Sequence, residues 1–198
     1  MLRKRIALLE RRDDLSFEEF DEHWATPHAE IISRLPGLQE YVQNSVLDWW
    51  RSGDASGVDG IVEVWFDDGV VTSPEQHTSM TQQDDEVRFI RTLTAVTVTD
   101  RRSYSSDDKV WILAPASLTG IPGLPLPDDA IVCSPEPDAV LMERPRLRRD
   151  AAAPSTVIIL PVARAQAVAL FDAVVAAFTE SGAPNGLRVL RTTTRRIR

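Results

Sequence analysis

The stretch from Leu15 to Asn44, LSFEEFDEHWATPHAEIISRLPGLQEYVQN, constrains the fold more than any other part of the chain. Ser16 with Glu19 fits a capping box, in which hydroxyl and carboxylate each satisfy an orphan backbone N–H at a helix start. Phe17, Phe20, Trp24, His28, Ile31 and Leu35 then follow at spacings of three or four, so they share one face of a helix running from Phe17 to Leu35. Pro27 marks a kink or break in that helix. Pro36-Gly37 ends it, and a strand from Leu38 to Leu47 follows. A titratable imidazole therefore stands in line with aromatic residues that must pack on a core.

A strand from Arg3 to Glu10 precedes this helix. After it come the turn-rich loop WWRSGDASGVDG, a strand from Gly60 to Phe66, and a polar, weakly periodic helix from Ser73-Pro74 to Ile90. The β-branched run LTAVTVT from Leu93 to Thr99 closes the order β-α-β-β-α-β, the ferredoxin-like split unit. The second half repeats part of that order. Strands are expected at VWILAPA from Val110, DAVLMERPRL from Asp138 and STVIILPVA from Ser155. A helix from Arg164 to Ser181 places Val168, Phe171, Val174, Val175 and Phe178 on one stripe, and GLRVLRTTT from Gly186 is the last strand. The first helix of the repeat is missing. In its place, Pro122, Pro125, Pro127, Pro135 and Pro137 forbid a regular helix, and the segment reads as a cover over the bare sheet or a lid. The expected class is α+β, a tandem of ferredoxin-like units with antiparallel sheets. Residues 1–102 form the intact unit and residues 103–198 a degenerate one lacking its first helix. The halves share no obvious sequence identity, so an unrelated C-terminal α/β extension is the alternative.

Phe20, Trp24, His28 and Ala29 in FDEHWATPHA, LPGLQEYVQN from Leu35, DGIVEVWFDD from Asp59 and DEVRFI from Asp85 together resemble the EthD family of the dimeric α/β-barrel superfamily. These pieces occur in the family's order and cover about the first half of the chain. The resemblance implies a ferredoxin-like unit whose sheet closes a barrel against a second sheet, here within one chain. It also implies a pocket between helix and sheet that takes a small apolar or aromatic organic molecule. If the protein is an enzyme, the resemblance implies cofactor-independent chemistry by His-mediated proton transfer, with decarboxylation or dehydration, or oxygenation. The alternative is a non-catalytic binding or accessory protein that uses the same pocket or its surface.

Composition narrows the partners. A net charge of −8 excludes broad nonspecific nucleic-acid binding, which needs a basic surface. The basic C-terminal RTTTRRIR reads as a strand with a solvated tail. Cys133 is the only cysteine, so no intrachain disulfide forms, and a reducing compartment is expected. The apolar run Ile6–Leu9 is too short for a signal peptide, and no stretch approaches a membrane span, which together point to a cytoplasmic protein without a membrane partner. A monomer with an internal pseudo-dimer or a homodimer both fit.

The candidate site follows from these pieces. His28 is the expected general acid or base, because imidazole titrates near neutrality. Its bland alternative is a core histidine bonded to a backbone carbonyl. Trp24, Tyr41, Glu63 and Trp65 are the expected substrate-binding residues. Tyr41 and Asn44 fall on opposite faces of their strand under strict alternation. Glu63 interrupts GIVEVWF, a strand apolar on both sides, so its carboxylate needs an ion pair, a hydrogen bond or a wet cavity. One expectation is that Glu63 and His28 reach one cavity, and the competing one is that Glu63 pairs with an arginine. Beyond these two, few polar groups are expected near the pocket. With three histidines no metal site is expected. His23 is expected to face solvent, and His77 is the better second histidine. No cofactor is expected, and haem lacks an attachment motif. Trp49 and Trp50 should line a pocket mouth, form a subunit contact, or plug the loop against the second half.

Overall fold

The computed structural model describes residues 2–54, 57–67, 77–98, 102–103, 106–135, 146–148 and 153–198. Strand β1 (Leu2–Arg11) leads into α1 (Phe17–His23), whose start is fixed by the capping box the sequence specifies. The Ser16 hydroxyl accepts the Glu19 N–H at 3.2 Å, and the Glu19 carboxylate accepts the Ser16 N–H at 2.8 Å. At Trp24–His28 the helix widens into a π-helical turn containing Pro27, then continues as α2 (Ala29–Ser33). Proline supplies no N–H and its ring crowds the preceding turn, so the helix accommodates it by widening, where the sequence suggested a kink or break. The Trp24 carbonyl in this turn accepts a hydrogen bond from Gln43 Nε2 at 2.7 Å.

The remaining elements are β2 (Leu38–Arg51), β3 (Gly60–Asp67), α3 (His77–Phe89), β4 (Ile90–Val98), β5 (Asp108–Ala114), β6 (Ile131–Cys133), β7 (Thr156–Val162), α4 (Ala167–Ser181) and β8 (Arg188–Arg196). The eight strands form one sheet in the order β4-β1-β3-β2-β8-β5-β7-β6, and every ladder in it is antiparallel. Counted within each group of four, both halves run fourth, first, third, second. The β2–β8 ladder joins them. A single bridge from Val98, at the end of β4, to Pro135, just beyond β6, brings the two edges of the sheet together.

Several elements depart from the sequence reading. Strand β2 runs on through Trp49 and Trp50 to Arg51, so these tryptophans belong to a strand, not a loop. The Pro-rich segment contributes the short strand β6 as well as covering coil. The strand expected from Asp138 falls largely outside the described residues, and the helix start expected at Ser73-Pro74 lies wholly outside them. In α4, Val174 and Phe178 are buried while Val168 is exposed, so the apolar stripe is narrower than its spacing suggests. No helix among the described residues is long and apolar enough to cross a membrane.

Alternation divides the strands between two buried faces. One core draws on all eight strands, with Ile6, Val46, Ile61, Val98, Trp111, Cys133, Ile159 and Leu190 among its members. Residues from every strand can meet in one cluster only if the sheet curls around them, so this is the inner face. The outer face is covered by α1, α2 and α3 over the first four strands and by α4 over β5, β7 and β8. Gly60 sits where Trp24 presses on the outer face. A Cβ there would lie 2.6 Å from Trp24 Cζ3, so only glycine allows the indole to seat.

The inner face also holds charge. Lys4 Nζ lies 2.8 Å from Glu63 Oε1, and Lys109 Nζ bonds Glu63 Oε2. Asn44 Nδ2 donates to the same oxygen at 3.1 Å, and Lys4 also donates to the Arg102 carbonyl at 3.1 Å. The two ammonium groups lie 4.8 Å from the Trp65 ring and 5.6 Å from the Trp111 ring, where the aromatic faces favour a cation. Burial works to raise the Glu63 carboxyl, but the charges of Lys109 and Lys4 and their hydrogen bonds hold it at about 2, against a usual 4.5. Burial pushes the Lys109 ammonium down, against the pull of Glu63.

Two outcomes follow for stability. Gly60→Ala should cost about 1–3 kcal/mol in urea unfolding through overpacking, and much less in a Trp24→Leu background. An equal cost in both backgrounds would separate Gly60 from Trp24. Glu63→Gln leaves two buried ammonium groups around a neutral amide and should cost about 3–5 kcal/mol at pH 7. Because the folded Glu63 carboxyl is depressed, its stabilising effect is complete above pH 4.5 and fades as pH falls toward 2. Acid titration of stability should show that loss in the parent protein and not in Glu63→Gln.

Candidate functional site

The helix-facing side of β1, β3, β2 and β4 does not close completely. Between it and the helices lies a cavity with about 530 Å³ of space not taken by atoms, of which the centre of a water molecule reaches about 50 Å³. Its walls are mainly aliphatic, from Ala7, Leu9, Val62, Val64, Ile90 and Leu93 on the sheet and Ile32 and Leu35 on the helix side. Its polar groups are His28, Tyr41, Gln82, Glu86 and Arg5. Small-molecule pockets commonly have a lining of this kind, apolar with a few polar groups.

His28 is buried at the end of the π-helical turn, and its position is fixed from α3. Asp85 Oδ2 lies 2.9 Å from His28 Nδ1, while Asp85 Oδ1 lies 3.0 Å from His23 Nε2. One carboxylate therefore holds two imidazoles, and both rings pack on Phe89, with centroids 4.8 Å (His23) and 4.9 Å (His28) from it. Burial works to raise the Asp85 carboxyl, but the hydrogen bond from His28 and the charges of both histidines outweigh it and hold it below its usual value. An ionised Asp85 accepts only, so His28 Nδ1 carries a proton, and whenever the ring is neutral its lone pair is on Nε2. Fixing one nitrogen to a carboxylate in this way sets tautomer and orientation, as in His–Asp pairs of hydrolytic sites.

The second polar group of the cavity is the Tyr41 phenol. Its oxygen accepts a hydrogen bond from Gln43 Nε2 at 2.8 Å, and Arg195 in turn donates to Gln43 Oε1 at 3.0 Å and to Asp21 Oδ2 at 2.8 Å. Burial pushes the Tyr41 phenol well above its usual range, so it keeps its proton and can serve as a donor. Gln82, which also lines the cavity, donates to Glu86 at 2.7 Å. Gln82, Asp85, Glu86 and Phe89 follow at spacings of three and four, so the buried face of α3 is largely polar.

Of the residues expected from sequence, His28 and Tyr41 line the cavity and Trp24, Glu63 and Trp65 do not. Trp24 packs beside it in the core with Phe20, ring centroids 5.5 Å apart. Glu63 and Trp65 project from the opposite face of β3 into the inner charge cluster. The idea that Glu63 and His28 reach one cavity therefore fails: Val62, Val64 and Phe66 line the pocket, and alternation sends Ile61, Glu63 and Trp65 the other way. Glu63 meets its charge requirement through lysines, not through the expected arginine. Tyr41 and Asn44 do take opposite faces, Asn44 reaching Glu63. His23 is tied to Asp85 and does not simply face solvent. The His28 ring bonds a carboxylate, not a backbone carbonyl. The side chain of His77 lies outside the described residues. The expectation of few polar groups is corrected by Gln82, Asp85 and Glu86. Their signal in the sequence was the spacing to Phe89 on a helix whose apolar pattern was too weak to orient it. Among the described residues no three His, Cys, Asp or Glu side chains group as metal ligands.

Comparison with known proteins places this site. No curated protein matches the chain. Among solved structures, the chain is similar to an ethyl tert-butyl ether D (EthD) family protein from Bacillus halodurans C-125, at 23% identity and a TM-score of 0.36. The match covers 50% of this chain and 99% of the other. Residues 12–92 match the family model described as the EthD domain. That span holds His23, His28, Tyr41 and Asp85, so these four residues lie within the segment that is similar to the EthD domain.

Proposed function

We propose that the chain is a tandem of two ferredoxin-like units, residues 1–102 and 103–198, whose sheets close one α/β barrel within the chain. We further propose that the cavity beside His28 binds a small apolar or aromatic organic molecule and moves a proton on it. The repeated strand order and the Val98–Pro135 bridge support the architecture. The observation that carries the chemistry is the Asp85–His28 pair, with the buried imidazole lining a mainly aliphatic cavity.

In this reading His28 Nε2 takes a proton from an acidic C–H or O–H of the bound molecule. The electron pair stays on the substrate, delocalised into an adjacent acceptor group, and the imidazolium is stabilised through Nδ1 by Asp85. Return of the proton to another atom completes an isomerisation, or assists loss of hydroxide as water in a dehydration. Tyr41, protonated and buried, donates to the substrate oxygen that gains charge. The aliphatic walls strip water from the base and select an apolar substrate. A cytoplasmic location and a monomeric or homodimeric state accord with this reading. A purely sequestering protein would use the same walls without needing an oriented imidazole, so the Asp85 contact favours catalysis.

The test uses 5-nitrobenzisoxazole, a flat apolar probe that loses its C3 proton to a base as its N–O bond breaks and a coloured cyanophenolate is released. The parent protein should accelerate this over buffer. His28→Gln should lose at least about 100-fold, and Asp85→Asn about 10-fold or more, with unfolding midpoints showing both variants folded. A His28→Gln variant that is folded and equally active would remove His28 as the base. Saturable binding of the probe with no acceleration would leave the non-catalytic reading in place.

A further inference from the structure

His23 takes no part in the chemistry proposed above, yet the carboxylate that holds the base holds it too. His23 Nε2 lies 3.0 Å from Asp85 Oδ1, and His28 Nδ1 lies 2.9 Å from Asp85 Oδ2, so each carboxylate oxygen takes one imidazole. The two ends of this His23–Asp85–His28 chain differ in their access to water. The His23 side chain is 26% exposed, and those of Asp85 and His28 are 6% exposed. Both rings also rest on Phe89, which shares a face of α3 with Asp85 four residues earlier.

The backbone explains how two histidines reach one carboxylate. They stand five residues apart in HWATPH, which in a regular α-helix would turn them about 140° away from one another. The turn at Trp24–His28 is π-helical, and such a turn spans one residue more than an α turn, so residues five apart come back toward one side. The widening at Pro27 therefore does more than accommodate a proline. It delivers an exposed imidazole and a buried one to the same side chain on α3.

We infer that His23 is a positioning residue for His28: it competes for Asp85, and so sets the pH down to which His28 remains a free base. The inference rests on the role of His28 proposed above. One carboxylate balances one imidazolium, not two, so a proton on either ring opposes a proton on the other. A charged His23 also draws the carboxylate toward itself, through a charge-assisted hydrogen bond. A proton taken up at the exposed end thus helps to keep His28 neutral, and only a neutral His28 accepts a proton from substrate. The other ionisable side chains at the cavity are Arg5 from β1, Tyr41 from β2 and Glu86 from α3, and α2 contributes only Ile32. None of these changes in the variants below, so a difference between variants reports the charge at position 23.

The experiment follows the His28 ring resonances by ¹H–¹³C NMR of the full chain as pH falls, with signals assigned by single histidine variants, and needs no substrate. His23→Gln keeps a neutral N–H donor for Asp85, and His23→Arg keeps a permanent cation there. His28 should take up its proton at a pH about 0.5–1 unit higher in His23→Gln than in His23→Arg, with the parent between them. The acid-side loss of activity toward 5-nitrobenzisoxazole should fall in the same order, which a merely structural His23 would not produce. Should His23→Arg not fold, His23→Phe keeps a ring on Phe89 without a donor, and His28 should then take up its proton at a higher pH than in the parent. Coincident His28 curves in the Gln and Arg variants, a reversed order, or a His23→Phe curve matching the parent would overturn the inference. The expected order without any acceleration of the probe would support the coupling and count against the proposed reaction alone.

Discussion

The Glu63 carboxylate holds the inside of this molecule together. It receives Lys4 from β1 and Lys109 from β5, so it joins strands from both halves of the chain across the space the sheet encloses. A bare charge at such a depth is expensive, and two ammonium groups with one carboxylate are tolerable only if each finds further partners. They do, through Asn44, the Arg102 carbonyl and two tryptophan faces. Apolar side chains filling the same space would tolerate small shifts of one strand past another. A bonded cluster of three charges does not, so it specifies how β5 stands relative to β1 and β3.

That arrangement has consequences on the other side of the same strands. Because alternate residues of β3 point to opposite faces, seating Glu63 inside commits Val62 and Val64 to the outside, where they become pocket walls. A slip of one residue would put the carboxylate among aliphatic side chains and Val62 among lysines. The cavity beside His28 is thus shaped partly by a charge it never touches. The helix above it is fixed independently, by the capping box at Ser16, by Trp24 seated on Gly60, and by Gln43 on the Trp24 carbonyl.

Much of this was legible in the residues. The capping box, the buried face from Phe20 through Trp24 to His28, the apolar third strand and the opposed faces of Tyr41 and Asn44 follow from spacing alone. What spacing could not give was which buried face each strand residue takes. In GIVEVWF both faces are covered, so no polar side identifies the outside, and Glu63 could be placed beside His28 or away from it with equal consistency. Helix α3 was obscure for a related reason. Its buried side carries Gln82, Asp85 and Glu86, so hydrophobic periodicity, the usual guide, is nearly absent where the helix matters most. Strand β6 was missed because three residues between prolines are too few to show a period of two.

The polar face of α3 is costly to bury. A helix that buries a carboxylate, a carboxamide and a second carboxylate against a sheet gains less from the hydrophobic effect than one burying leucines. Asp85 offsets part of that deficit by accepting from two imidazoles at once, and Gln82 donates one hydrogen bond to Glu86. If stability alone mattered, an apolar stripe would serve better, since replacing a buried polar network by well-packed apolar side chains is often neutral or stabilising. The cost is confined to the one face of α3 that meets the cavity, while the outer face over the second half is covered by the plainly apolar face of α4. Among the described helices, the polar burial of α3 falls where an imidazole is held by a carboxylate, which ties that helix to His28.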